Sequence, residues 1–97
     1  MYCVMCIDKP DSAALRLENR PAHLQYAGGL DYVQLGGPLM SDDGETMIGS
    51  LLFLNVDTRQ AAQGYVDNDP YFKAGLFDEI KLFRFHHLIG EMAAPRG

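Results

Sequence analysis

The chain has 97 residues, 47% apolar and 22% charged, a balance that excludes intrinsic disorder, collagen-like repeats and coiled coil, and that predicts one domain over residues 1–97. At 10.8 kDa, folding buries about 65% of the unfolded surface, enough for one modest core. Eight Lys and Arg against thirteen Asp and Glu leave a net charge of −5, the wrong sign for nucleic acid or a membrane surface, and no apolar run approaches the roughly 18 residues of a membrane span.

The first segment, Met1 to Asp8, lacks the basic start, long apolar stretch and small-residue exit of a signal peptide, so a cytoplasmic location is expected. Tyr2 to Ile7 is an apolar run of strand-formers, closed by Asp8-Lys9-Pro10-Asp11, where Pro10 cannot continue a ladder. Ser12 is the expected N-cap of a helix over Ala13 to Ala27, because Leu15, Leu17, Ala22, Leu24 and Tyr26 recur at helical spacing. Pro21 removes one helical hydrogen bond and disfavours α geometry at Arg20, which predicts a break near Asn19 and Arg20. Gly28-Gly29 is expected to end the helix in the left-handed conformation.

A second strand is expected from Tyr32 to Leu35, stopping at Gly36-Gly37-Pro38. Ser41-Asp42-Asp43-Gly44 has turn chemistry and leads into a long third strand, Met47 to Val56, making a hairpin. Asp57 and Thr58 cap a second helix with Ala61, Ala62, Tyr65 and Val66 on one stripe. It stops before Asp69-Pro70. A linker, Tyr71 to Gly75, precedes the last strand, Phe77 to Leu88.

The order βαββαβ predicts a ferredoxin-like α+β fold, a four-stranded antiparallel sheet with both helices on one face. The strands are apolar on both faces. Tyr2, Val4 and Cys6 oppose Cys3, Met5 and Ile7; Met47, Leu51 and Phe53 oppose Ile48, Leu52, Leu54 and Val56; Ile80 and Leu82 oppose Phe83 and Phe85. Two helices cover only one face. The other would expose apolar surface on the order of several hundred Å², which predicts a homodimer with two sheets packed face to face.

Cys3-x-x-Cys6 and His86-His87 hold the residue types of a zinc or dithiol site. Residues three apart on a strand point to opposite faces, and nothing between the cysteines forms a knuckle, so no metal is expected and the thiols read as inert. Two cysteines are also too few for a disulfide framework. Gly36-Gly37-Pro38 lacks the Lys and helix of a phosphate loop; it reads as a place where backbones approach closely, or where a small ligand reaches main-chain amides. His23 lies just past the expected helix break, aimed at a cleft or simply solvent-facing. Asp69 precedes Pro70 and reads as a turn former, although an anion is disfavoured at a helix C-terminus.

In their order and intervals, Arg20-Pro21-Ala22-His23-Leu24, Gly37-Pro38-Leu39, Ile48-Gly49-Ser50-Leu51, Asp69-Pro70-Tyr71, Ala74-Gly75-Leu76-Phe77 and Ile89-Gly90 resemble the YciI-like (YCII-related) family of small bacterial proteins. The resemblance implies a ferredoxin-like protomer dimerised through its sheet, the dimeric α+β barrel of muconolactone isomerase-like enzymes. It also implies a His and Asp pair at the active site, here His23 and Asp69. The family includes a dehydrochlorinase of a chlorinated hydroxyquinol. Many members have a longer first helix after the His-Leu, whereas this chain reaches Gly28-Gly29 within five residues of His23.

A carboxylate on one imidazole nitrogen fixes the tautomer and leaves the other nitrogen to move a proton. His23 is therefore expected to carry the proton and Asp69 to orient it and stabilise the imidazolium. Arg20, Gly37, Pro38, Ser50 and Tyr71 are the candidates to meet substrate: Arg20, one helical turn from His23, either meets a substrate carboxylate or forms a surface ion pair, and Ser50 either offers its hydroxyl or is a buried strand serine bonded to backbone. No Gly-x-Ser-x-Gly elbow surrounds Ser50, which excludes a serine hydrolase. The expectation is a cofactor-independent lyase, isomerase or hydrolase acting on a small acidic molecule, aromatic-derived ones included. The alternative is a non-catalytic ligand-binding or accessory protein with the same dimeric barrel.

Overall fold

The computed structural model describes residues 1–90. Its elements run β1 (Tyr2–Asp8), α1 (Ala13–Gly28), β2 (Val33–Met40), β3 (Met47–Leu54), α2 (Arg59–Asn68), α3 (Pro70–Lys73) and β4 (Phe77–Arg84). The four strands form one antiparallel sheet in the order β2-β3-β1-β4. This is the ferredoxin-like α+β arrangement. The most apolar strands, β1 and β3, take the centre, where Tyr2 faces Leu54 and Cys6 faces Ser50.

The helices cover one face. Tyr2, Val4 and Cys6 of β1, Leu52 and Leu54 of β3 and Leu82 of β4 meet Ala62, Tyr65 and Val66 of α2 in a single buried cluster. Full burial of side chains such as Val4, Leu54 and Val66 stabilises by about 1.5–3 kcal/mol each. Thr58 starts α2 by accepting a hydrogen bond from the Ala61 N–H at 3.1 Å, while Ala61 itself stays exposed. On the other face Cys3, Met5, Ile7, Leu51 and Phe53 are half-buried and Phe83 is 53% exposed. Phe53 and Phe85 meet edge to face with ring centroids 4.9 Å apart.

Gly49 is required where β1 and β3 pair. A Cβ there would sit on the carbonyl oxygen of Cys6. Gly44, with φ 75°, turns the β2–β3 hairpin, which Ser41 stiffens by donating to Asp43 and accepting from the Thr46 N–H.

Several boundaries differ from expectation. Helix α1 runs unbroken through Pro21. The missing N–H frees the carbonyl of Leu17, but Leu17 is 62% exposed, so the gap lies on the outer side of the helix where water serves as donor. Its end is right-handed, with Gly29 at φ −87°, and Gly29 and Leu30 N–H donate to Tyr26 and Ala27 carbonyls instead. Ser12 occupies the N-cap position without a side-chain cap; its hydroxyl donates to the Pro10 carbonyl at 3.3 Å.

Strand β2 continues through Gly36-Gly37-Pro38 to Met40. It is an edge strand, and a proline there faces its absent donor away from the ladder. A register shift between Leu39 and Met40 breaks the alternation of β3, so Met47 borders the helix-side cleft together with Ser50 and Leu52. β3 ends at Leu54 and β4 at Arg84, earlier than expected, and the expected linker contains the one-turn helix α3. The domain expectation reaches residue 97; residues 91–97 lie outside the described residues.

Candidate active site

Helix α1 presents Arg16, Arg20, His23 and Ala27 along one stripe, spaced i, i+4, i+7 and i+11. The stripe faces β2 and β3 across a cleft of about 300 Å³. Gly36, Gly37 and Pro38 form one wall, Met47, Ser50 and Leu52 the floor, and Tyr71 joins from α3. A Cβ on Gly37 would meet nothing within 4 Å, whereas one on Gly36 would press on the Leu52 side chain at 3.1 Å. Close approach therefore explains Gly36 and not Gly37, and the segment is a strand wall instead of a loop.

His23 Nδ1 lies 2.9 Å from Asp69 Oδ1. Asp69 is 2% exposed, and the same oxygen accepts the Tyr71 N–H at 2.9 Å. The local sequence explains the placement. Asp69 closes α2 and simultaneously caps α3, with Pro70 in the first turn, so its carboxylate faces the positive end of a new helix turn. The expected conflict with the α2 dipole is offset in this way. Tyr71, the next residue but one, stacks on the His23 ring with centroids 4.1 Å apart and planes at 16°. Its edge contact with Phe77 holds the tyrosine ring in turn.

Sequence reasoning missed Arg16. This residue is 2% exposed, and its guanidinium grips Asp8 with Nε to Oδ2 at 2.7 Å and Nη2 to Oδ1 at 2.9 Å. Nη2 also donates to Ser50 Oγ at 2.9 Å, and the guanidinium carbon stands 4.4 Å from the Tyr71 ring centroid. Burial opposes the charge on Arg16, but the bonds and charge of Asp8 outweigh it and push the guanidinium pKa up. The signal was available: Asp8 continues the buried Tyr2-Val4-Cys6 face of β1, where a carboxylate requires a partner, and Arg16 shares the helical stripe of His23.

Burial raises the Tyr71 phenol above its ordinary value, partly offset by Arg16 and Arg20, so the ring enters the site as a neutral group. Cys6 is pushed up to about 12, by burial first and by the Asp69 charge second, and Cys3 is raised by burial. Cys6 is buried on the helix side, and Cys3 is half-buried on the opposite face. Among the described residues no group of three His, Cys, Asp or Glu is arranged to hold a metal ion, and no helix is long and apolar enough to cross a membrane.

The fold and cleft together define a small single-sheet α+β protein with a His–Asp pair in its wall. The YCII-related domain profile matches residues 1–86, and the chain belongs to that family. It is 30% identical over 93 residues to protein YciI of Escherichia coli O6:H1 (strain CFT073), covering 88% of this chain and 95% of that protein. Protein YciI of Shigella flexneri gives the same figures. Among solved structures, it is similar to 5-chloro-2-hydroxyhydroquinone dehydrochlorinase, TftG, from Burkholderia phenoliruptrix AC1100, in complex with 2,5-dihydroxybenzoquinone. That likeness has a TM-score of 0.81 and 33% identity over 89% of this chain and 93% of the other. The NE2512 protein of unknown function from Nitrosomonas europaea shares the fold with a TM-score of 0.57 at 15% identity, over 99% of this chain and 93% of that one.

Proposed function

We propose that the chain is a cofactor-independent enzyme in which His23 moves a proton to or from a small, activated, acidic ring compound, and Asp69 positions the histidine. The observation that carries this reading is the 2.9 Å bond between His23 Nδ1 and Asp69 Oδ1 in the wall of a ligand-sized cleft. With Nδ1 donating to the carboxylate, Nε2 is the ring nitrogen left to act. Stacking on Tyr71 fixes the imidazole plane, so the proton is exchanged from one defined position. General acid-base catalysis of this kind contributes about 10²–10⁴ in rate, or roughly 3–5.5 kcal/mol, which suffices for an electron-rich or enolisable ring. The reading requires no cofactor for a step of that difficulty.

The likeness to a dehydrochlorinase of a hydroxylated chloroaromatic supports this substrate class. The half-buried apolar face formed by Met5, Ile7, Leu51 and Phe53 supports a homodimer in which two sheets pack together. The test is anaerobic incubation with 5-chloro-2-hydroxyhydroquinone, following chloride release. The wild-type chain is expected to release chloride, and His23→Ala to lose at least about a hundredfold in kcat while retaining its fold. Unchanged release by His23→Ala overturns the proton-carrier role. A wild-type chain that binds the compound without turnover is instead a ligand-binding protein, and a fall in Tm without loss of kcat marks the histidine as structural.

A further inference from the structure

Arg16 has more donors than Asp8 and Ser50 can use. Its Nε–H goes to Asp8, and both Nη2 hydrogens are taken, one by Asp8 and one by Ser50. Nη1 makes no hydrogen bond of good geometry among the described residues, although the Tyr71 phenol is close enough to interact with the guanidinium. Ser50 is 3% exposed, and its oxygen already accepts from Arg16. A hydroxyl that accepts from a cation is polarised to donate, yet the Ser50 O–H also has no acceptor among the described residues. Both residues border the cleft that His23 borders. Two donors left free side by side in the wall of the cleft are available to an acceptor on a ligand.

The charges agree. Arg16 is neutralised by Asp8, and the acid Asp69 faces His23. Arg20, on the same wall, forms no ion pair among the described residues. With His23 neutral, Arg16 and Arg20 balance Asp8 and Asp69, so on a chain with net charge −5 the cleft itself carries no net negative charge to repel an anion.

We infer that Ser50 Oγ–H and Arg16 Nη1–H form a two-donor site for an ionised ring oxygen of the substrate, a phenolate or enolate. The inference rests on the reading of His23 as proton carrier and names the ligand that this site holds. Arg16 and Ser50 bind the oxyanion and fix the ring in register with His23 Nε2; Asp8 holds the guanidinium fork in place. Arg20 contributes charge at the same wall without the directional pair of bonds.

The probe is 2,5-dihydroxybenzoquinone, ionised at neutral pH, with its neutral dimethyl ether as the matched control, each titrated calorimetrically against the full chain. The wild-type chain is expected to bind the anion at least about tenfold more tightly than the ether, the worth of one charge-assisted hydrogen bond. Ser50→Ala should weaken the anion about tenfold and leave the ether unchanged, and Arg16→Lys, which keeps the charge but loses the fork, should do the same. His23→Gln should bind the anion within about threefold of wild type while losing turnover. The inference is overturned if Ser50→Ala binds the anion as wild type does, if the ether binds equally well, or if the anion does not bind at millimolar concentration. These outcomes are separable from failure of the acid-base reading, which is judged by turnover in His23→Gln. A substitution acting only on stability would weaken both compounds alike, which also contradicts the inference.

Discussion

Replacing Asp8 by Asn should unfold this protein more readily than any single loss of an apolar contact at the cleft. Asp8 and Arg16 have side chains only 5% and 2% exposed, and the carboxylate meets two guanidinium N–H groups at 2.7 and 2.9 Å. An amide presents one acceptor and one donor, so one guanidinium N–H would face an N–H while the buried positive charge loses its counter-ion. Removing one partner of a buried pair costs about 3–5 kcal/mol. That is a third or more of the stability of a domain near the lower part of the usual range of about 5–15 kcal/mol. At about 4–8 °C per kcal/mol for a chain of this size, Tm should fall by at least about 12 °C.

Urea unfolding followed by circular dichroism, on Asp8→Asn, Arg16→Met and the double variant, measures the cycle. The double variant should cost less than the sum of the singles by at least about 2 kcal/mol, because it removes both charges. It should not recover fully, since Ser50 loses its donor, worth about 0.5–1.5 kcal/mol. A cost below about 1 kcal/mol for Asp8→Asn, the range of an exposed pair, would refute the reasoning.

Cys6 should resist alkylation in the folded chain. With its pKa pushed up to about 12, only about one thiol in ten thousand is ionised at pH 8, so iodoacetamide should modify Cys6 only on unfolding; equal rates for both cysteines would contradict this. Gly49→Ala should lower the unfolding free energy read from urea denaturation by about 1–3 kcal/mol, because a Cβ against the Cys6 backbone forces β1 and β3 apart, and an unchanged midpoint would contradict the close approach. Sedimentation at micromolar concentration should give a species of twice 10.8 kDa, which Phe53→Glu should dissociate; a stable monomer would remove the proposed sheet-to-sheet dimer.

The sheet was legible because β1 and β3 are near-continuous runs of apolar strand-formers and Ser41 to Gly44 is a turn by its chemistry. The His23 and Asp69 positions came from the family resemblance, since the Asp-Pro step by itself reads only as a turn, and nothing local indicated that Asp69 also caps α3. What was not legible depended on tertiary placement. Pro21 reads as a helix breaker until its missing bond is seen to lie on the solvent side, and Gly36-Gly37-Pro38 reads as a strand exit until β2 is seen at the sheet edge. Arg16 was missed because a long charged side chain in a helix ordinarily lies in water. Only the placement of Asp8 at the end of a buried strand face shows why this one turns inward.

The proton-carrier role depends on which imidazole nitrogen holds the hydrogen. Nitrogen-15 NMR of the His23 ring reads this directly. The neutral ring in the wild-type chain should carry its proton on Nδ1, donated to Asp69, with Nε2 unprotonated, and Asp69→Ala should abolish that preference. A wild-type His23 protonated on Nε2, or a tautomer unaffected by Asp69→Ala, would contradict the account.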